Sequence, residues 1–250
     1  MLHMDTNRNI RSMYIAGGAT VLILLAGAWA WQRGVISTDD GKLRVSLAAF
    51  NNPRPSLDRR VNFPENFDEN ARALFNQNLE KVKTALRENP NDVSAWFDVA
   101  IYYRMVGDYD GAVEIWKYVS TKYPTEGVSL HNLGEHYFHT AKDYTLAEQY
   151  YLKSIAVAPH IGQNYLDLFD MYRYVYKQET TAASDILKQG AFKVSAVEGV
   201  GFLRMLGLYY QEQGDTANAR IYFKQALAGA ESQKDTKAAK QIQLLISALK

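Results

Sequence analysis

The feature that most constrains the fold of this chain is a repeat of 34 to 35 residues. Prolines recur at this interval, at Pro90, Pro124 and Pro159. Small residues recur one and then about two periods apart, at Ala100, Gly134 and Gly207. From Phe67 onward the apolar residues also follow the helical period. A repeat of this length is typical of stacked helix pairs, so the sequence predicts an all-α array over residues 67–250.

Three copies of the repeat share one arrangement of large and small side chains. The first copy begins near Val93 and carries Trp96, Val99, Ala100, Tyr103, Gly107, Tyr109, Ala112, Trp116, Val119 and Pro124. The second copy carries Leu130, Leu133, Gly134, Tyr137, Ala141, Ala147, Tyr151, Ser154 and Pro159, with one residue inserted near Lys142. The fourth copy carries Leu203, Leu206, Gly207, Tyr210, Gly214, Ala219, Phe223 and Ala226. The third, about residues 162–195, is degenerate, because Phe169 replaces the small residue.

This pattern resembles the tetratricopeptide repeat family, and the resemblance covers roughly residues 67–249. It implies a right-handed solenoid of helix pairs, in which small residues let the two helices of a pair approach closely. A glycine or other small residue ends the first helix in a left-handed turn, and a proline stops the second. Residues 67–89 predict a half repeat ahead of the first copy. Lys237–Leu249 predicts a terminal capping helix, because its apolar residues share one face.

The resemblance also implies a concave groove lined by fixed positions of each first helix. These positions are Phe97, Asp98, Ile101, Arg104 and Met105 in the first copy, and His131, Asn132, Glu135, Phe138 and His139 in the second. They are Leu166, Asp167, Asp170, Arg173 and Tyr174 in the third copy, and Arg204, Met205, Leu208, Gln211 and Glu212 in the fourth. The mixture of apolar and charged groups suits a peptide with apolar anchors. The family's carboxylate clamp is not matched, because Phe97 and Ile101 stand where it needs Lys and Asn.

The stretch HNLGEHYFH, residues 131–139, raises the alternative of a metal site. His131, Glu135 and His139 are spaced one helical turn apart, so three ligands on one face are geometrically possible. No HExxH pattern and no second acidic ligand lies alongside, however. We therefore expect no metal here, and interpret His131 and His139 as groove residues. His136 is predicted to be a packed or edge histidine.

The N-terminal segment Met13–Trp31 has no charged residue. Its length matches a hydrocarbon core of ~30 Å, so the segment predicts a single transmembrane helix. The alternative is a cleavable signal peptide, with Arg8 and Arg11 as its basic region, Ile15–Leu25 as its apolar core and Ala28-Trp29-Ala30 as its cleavage site. A buried soluble helix is the third interpretation.

Residues 1–12 form a short head, and residues 32–66 are predicted to be a linker. The stretch Asn51-Asn52-Pro53-Arg54-Pro55 disfavours a helix, although Leu43–Phe50 is compatible with a short strand or helix. Lys and Arg are balanced at the two ends of the apolar segment, so they do not decide its orientation. We favour a cytoplasmic N-terminus, with the repeat domain on the extracytoplasmic side.

Composition and missing motifs exclude several function classes. The chain has 28 basic and 27 acidic residues and a net charge of +1, so it lacks the basic excess typical of nucleic-acid binders. It has no cysteine, which excludes disulfides, thiolate nucleophiles and Cys-ligated zinc. No phosphate-loop, dinucleotide or hydrolase motif is present, so the sequence predicts no cofactor and no enzyme.

Together these features predict a membrane-anchored scaffold that docks a protein or peptide segment in the concave groove. Similar anchored arrays act in envelope assembly and secretion, which is an analogy at the level of the family. One alternative is a structural homo-oligomer formed through the convex face or the cap. Another is a metal-dependent activity at the His131 cluster.

Overall fold

A computed structural model of the chain describes residues 36–39, 42–45, 53–65 and 67–249. The predicted head 1–12 and the apolar segment 13–31 lie outside these residues. Within the described part, no helix is both long enough and apolar enough to cross a membrane. The chain divides into two units, residues 1–54 and 55–250.

The first unit contains a hairpin, which differs from the all-α prediction and from the predicted linker. Strand β1 (Ile36–Asp39) pairs antiparallel with β2 (Lys42–Val45), with Ile36 opposite Val45 and Asp39 opposite Lys42. The sequence between the two strands is Asp40-Gly41, a pair that favours tight hairpin turns. A two-residue turn signal between short runs containing β-branched residues thus produced two strands. The second overlaps the stretch Leu43–Phe50, for which a short strand or helix was expected.

The second unit is a linear array of helices, as predicted. Its helices are α1 (Glu69–Glu88), α2 (Val93–Met105), α3 (Tyr109–Lys122), α4 (Val128–His139), α5 (Tyr144–Val157), α6 (Gly162–Tyr174), α7 (Ala182–Ala191), α8 (Ala196–Glu212), α9 (Thr216–Ser232) and α10 (Thr236–Ala248). Each helix packs against the next one in the chain, and α4 also contacts α6. The buried side chains accordingly form three successive clusters rather than one central core.

The helices begin and end where capping chemistry places their ends. Asp108 and Asp143 accept hydrogen bonds from the backbone N–H three residues later, which caps α3 and α5. Pro124 and Pro159 lie just beyond the ends of those helices, as predicted. After α4, the residue with positive φ is Lys142, at 56°, rather than Ala141, which aligns with the repeat glycine. The inserted residue shifts the left-handed position by one.

The predicted close approach within helix pairs is confirmed. A Cβ placed on Gly134 would lie 2.7 Å from Cδ1 of Tyr151, and one on Gly207 would lie 2.3 Å from Cδ1 of Phe223. The large ring of each second helix therefore occupies the space left by the glycine of the first. Phe223 also belongs to the cluster that includes Ile242 of α10, so α10 packs against the α8–α9 pair.

The degenerate third copy keeps its hydrogen bonding while its packing changes. The Tyr165 hydroxyl donates to the Pro159 carbonyl at 2.9 Å, as the indole of Trp96 donates to the Pro90 carbonyl at 3.1 Å. Phe169 is buried even though it replaces the small residue.

Part of the predicted linker belongs to the packed array. Residues 55–63 form a segment that we call the N-terminal strap. Leu57 is buried in the first cluster, and Phe63 packs edge-on to Phe75 with ring centroids 5.1 Å apart. Arg59 donates to both carboxylate oxygens of Asp108, at 2.5 and 2.7 Å. The domain boundary predicted at residue 67 therefore falls inside a unit that begins at residue 55.

Candidate functional site

Helices α2, α4, α6 and α8, the first helices of the four pairs, carry the residues predicted to line the groove. We call the surface formed by these residues the first-helix face. Side-chain contacts link each adjacent pair of helices across it. Arg104 Nη1 lies 3.5 Å from Glu135 Oε2, and His131 Nδ1 lies 3.6 Å from Asp167 Oδ2. Arg173 pairs with Glu212. The contacts run from α2 to α8 and link six of the predicted residues, with at least one from each copy.

The remaining predicted residues of this face differ in exposure. Those that are exposed are Asp98, Ile101, Met105, His139, Asp170 and Arg204, and those that are half-buried are Phe97, Asn132, Phe138 and Gln211. Ile101 and Met105 are 53% and 56% exposed, and Tyr174 further along is 58% exposed. Ile101 and Met105 lie one helical turn apart, so they form one small exposed apolar patch beside the Arg104–Glu135 pair.

The middle of the face is its most buried polar region. The Asn164 amide oxygen lies 2.8 Å from His131 Nδ1, while the Asn164 amide nitrogen and the Tyr151 hydroxyl have no hydrogen-bond partner within the described part of the chain. Burial raises the pKa of Asp167, and a hydrogen bond from Gln163 and the nearby His131 oppose this. Burial also raises the pKa of Tyr151, with a further contribution from Asp167. Tyr151 therefore stays neutral, and two buried polar atoms at this point lack a protein partner.

The histidines do not converge on a point where a metal ion could bind. His131 contacts Asn164 and Asp167, Glu135 contacts Arg104, and the His139 ring lies 4.2 Å from the Phe138 ring. The described residues contain no group of three His, Cys, Asp or Glu side chains that could hold a metal ion.

His136 lies away from the first-helix face. It packs between two aromatic residues, with its ring 5.9 Å from Tyr109 and 5.3 Å from Tyr137. Burial lowers its pKa. This position confirms the prediction of a packed histidine.

Sequence reasoning missed two clefts on either side of α8. The larger, of about 450 Å³, lies between α6 and α8 and is lined by Ile161, Gly162, Gln163, Leu166, Glu198, Gly201, Phe202, Arg204 and Met205. The smaller, of about 180 Å³, lies between α8 and α10 and is lined by Val197, Val200, Gly201, Arg204, Ala230, Gln233, Asp235, Ala238, Gln241 and Ile242. Both share Gly201 and Arg204. The sequence feature that could have indicated these clefts is Gly201, which lies in the interior of a helix at a position where the repeat does not require a glycine.

Comparison with known proteins agrees with this arrangement of helices. Models of the tetratricopeptide repeat match residues 82–114 and residues 202–232. Two segments of the chain thus match the tetratricopeptide repeat. The first matched repeat includes all of α2 with its flanking segments, and the second runs from Phe202 in α8 to the end of α9. The α4–α5 pair between them has the same small-residue contact as α8–α9.

The structure is also similar to one titled "Crystal structure of MamA", with a TM-score of 0.48 and 19% sequence identity. This similarity covers 70% of the present chain and 99% of that chain. No curated protein matches the chain.

Proposed function

We propose that this protein is a scaffold whose first-helix face docks an extended or helical segment of a partner protein. The observation that carries the proposal is the continuity of that face. Predicted residues from four repeats are joined by ion pairs and hydrogen bonds, and apolar side chains stand exposed among them. Apolar anchors among charges of both signs suit a peptide that combines apolar and polar contacts.

The ion pairs of the face are weak enough for a partner to replace them. The side chains of Arg104 and Glu135 are 43% and 37% exposed. Exposed pairs of this kind contribute about 0.2–1 kcal/mol to the free energy of unfolding. A partner that brings its own carboxylate or ammonium can therefore exchange one pair for another at little cost, while its apolar side chains gain burial on Ile101 and Met105.

The proposal includes a membrane anchor formed by residues 13–31, with the repeats on the extracytoplasmic side. Confinement to a surface raises the effective concentration of scaffold and partner, so that modest affinity suffices. The apolar sequence of this segment supports the anchor, and the family-level analogy supports a role in envelope assembly or secretion. The function is one of binding, without a catalytic role.

A reversal of one ion pair tests the docking face. In the Arg104→Glu/Glu135→Lys double variant, opposite charges still face each other, so the fold and its helicity are retained. A bound partner, however, would face the charges of residues 104 and 135 in reversed order. We expect partner co-purifying with the tagged full chain to fall several-fold, while the outer-surface variant Leu152→Asp captures as much as wild type. Equal capture by the double variant would remove this face from the proposal.

The membrane part has a separate test. The full chain carries a C-terminal tag, and protease is added to intact cells, to cells with a breached outer barrier and to lysed cells. Membrane-bound, full-length protein whose tag is cleaved before lysis supports the anchor and its orientation. A tag protected until lysis contradicts the orientation, and a shortened soluble chain contradicts the anchor in favour of a signal peptide.

A further inference from the structure

Gly201 of α8 is a glycine that the packing of the array does not require. Contacts explain the other two glycines of α8. A Cβ on Gly199 would lie 2.7 Å from the carbonyl oxygen of Ala191, and one on Gly207 would meet Phe223. A Cβ on Gly201 would meet nothing within 4 Å. Glycine in a helix interior destabilises it relative to alanine. Because residue 201 has no side chain, the space that the two clefts share stays open.

Arg204 stands at the same place without a charged partner. It is exposed, lines both clefts and forms no ion pair among the residues that the structure describes. The nearby acidic side chains are engaged elsewhere. Glu198 accepts a hydrogen bond from the Ser195 hydroxyl at 2.6 Å, and Asp235 caps α10 by accepting one from Ala238 N at 2.9 Å. By contrast, Arg104 and Arg173 of the same face are both paired.

The larger cleft is largely apolar, whereas the smaller one is lined by polar and apolar groups in about equal measure. Leu166, Phe202 and Met205 line the larger one, and Val197, Val200 and Ile242 line the smaller. The clefts flank a single helix, and adjacent packed helices lie about 8–10 Å apart. In an extended polyproline-type segment, side chains three residues apart share a face and are separated by about 9 Å. One such segment can therefore place an apolar side chain in each cleft. An acidic residue between them is turned by about 120° from that face, and the long, exposed side chain of Arg204 supplies the reach to pair with it.

We propose that the two clefts, with Arg204 between them, bind an extended peptide segment of a partner in which two apolar side chains bracket an acidic one. This site rests on the proposed function and narrows it to one end of the first-helix face and one class of sequence. The ligand chemistry is an internal Asp or Glu side chain rather than a chain terminus. The arginine fork matches a carboxylate through two parallel hydrogen bonds, and the clefts bury the flanking side chains.

The test uses random peptides displayed on phage and selected on the full-length chain. Selected peptides are then synthesised with amidated C-termini, and their Kd is measured by fluorescence anisotropy. We expect apolar–acidic–apolar sequences, and a loss of binding of about tenfold or more, equivalent to one charge-assisted contact, when the acidic residue is replaced by its amide. The Arg204→Glu variant should invert the preference toward basic peptides. A requirement for a free C-terminal carboxylate would overturn the proposal.

Gly201 supplies a matched pair of variants. A Cβ at residue 201 meets no atom within 4 Å, so Gly201→Trp should place its ring over the space that the clefts share and abolish binding, whereas Gly201→Ala should keep binding and raise the Tm. Undiminished binding to a folded Gly201→Trp protein would overturn the site. If peptides lose affinity for Arg104→Glu/Glu135→Lys but not for Gly201→Trp, the docking face stands and this inference fails. Recovery of no binding peptide would contradict both.

Discussion

At the scale of single residues, the glycines of α8 show how one residue type serves different purposes. The ring of Phe223 packs directly against Gly207, whereas a Cβ on Gly201 would meet no atom within 4 Å. The repeat pattern identified the first of these from the sequence, because its position recurs as Ala100 and Gly134. The repeat pattern did not identify Gly201, because an open surface leaves no periodic signal in the sequence. What a glycine is for depends on the atoms of neighbouring helices, which only the structure supplies.

This contrast gives opposite stability changes for the same substitution. Gly207→Ala places a Cβ against the ring of Phe223 and should lower the free energy of unfolding by about 1–3 kcal/mol. Gly201→Ala meets no atom and should raise it by about 0.5–1 kcal/mol, because alanine favours the helix. Urea denaturation of the full chain in detergent, followed by circular dichroism, measures both. Destabilisation by Gly201→Ala would show that the open space at this position is filled.

At the scale of elements, the N-terminal strap is the part of the repeat unit that the sequence prediction missed. Pro55 and the flanking Pro53 and Pro64 correctly predicted the absence of a helix, but Leu57 and Phe63 belong to no periodic pattern that would predict their burial. The burial arises because the strap packs against α1, and its side chains join a cluster that extends to residues of α2 and α3 much later in the sequence. Helix pairs, by contrast, were predictable because capping, small-residue contacts and apolar period all recur within each copy. The Asp40-Gly41 hairpin signal was present but was overlooked.

The bond between the strap and Asp108 should make part of the stability depend on pH. The hydrogen bond from Arg59 lowers the pKa of Asp108, and the backbone N–H of Gly111 adds to this effect. A carboxylate with a lowered folded-state pKa stabilises the fold above its unfolded pKa of about 3.9, and the contribution disappears as pH falls below that value.

Asp108→Asn isolates this contribution, because asparagine still caps the helix while the charge is lost. We expect it to lower the free energy of unfolding by about 1 kcal/mol at pH 7, and the difference from wild type to shrink toward pH 3. Asp143→Asn is the matched control, since Asp143 caps α5 through Leu146 N and forms no ion pair among the described residues. An equal effect of both variants at pH 7 would show that the Arg59 contact adds nothing.

At the scale of the whole molecule, the array is built from neighbour contacts, so its stability is distributed along the chain. Its buried residues form three clusters, which run from Leu57 to Leu133, from Ala147 to Leu206 and from Ala219 to Ile242. Such a fold has no single central core, and its long exposed face is available for binding. The face was predictable from repeat positions. The identity of each contact was not, since Arg104–Glu135 and Arg173–Glu212 join residues from different copies.

The central claim is that the first-helix face, and not the outer surface of the second helices, contacts a partner. Site-specific photocrosslinking tests it most directly. A photoreactive phenylalanine analogue replaces Ile101 or Met105 on the face, and Leu152 or Ile221 on second helices as controls of similar exposure. After irradiation of cells that make the full chain, adducts are resolved by mass. The account predicts a discrete partner adduct from Ile101 and Met105 and none from the control positions. Adducts confined to Leu152 or Ile221 would contradict it.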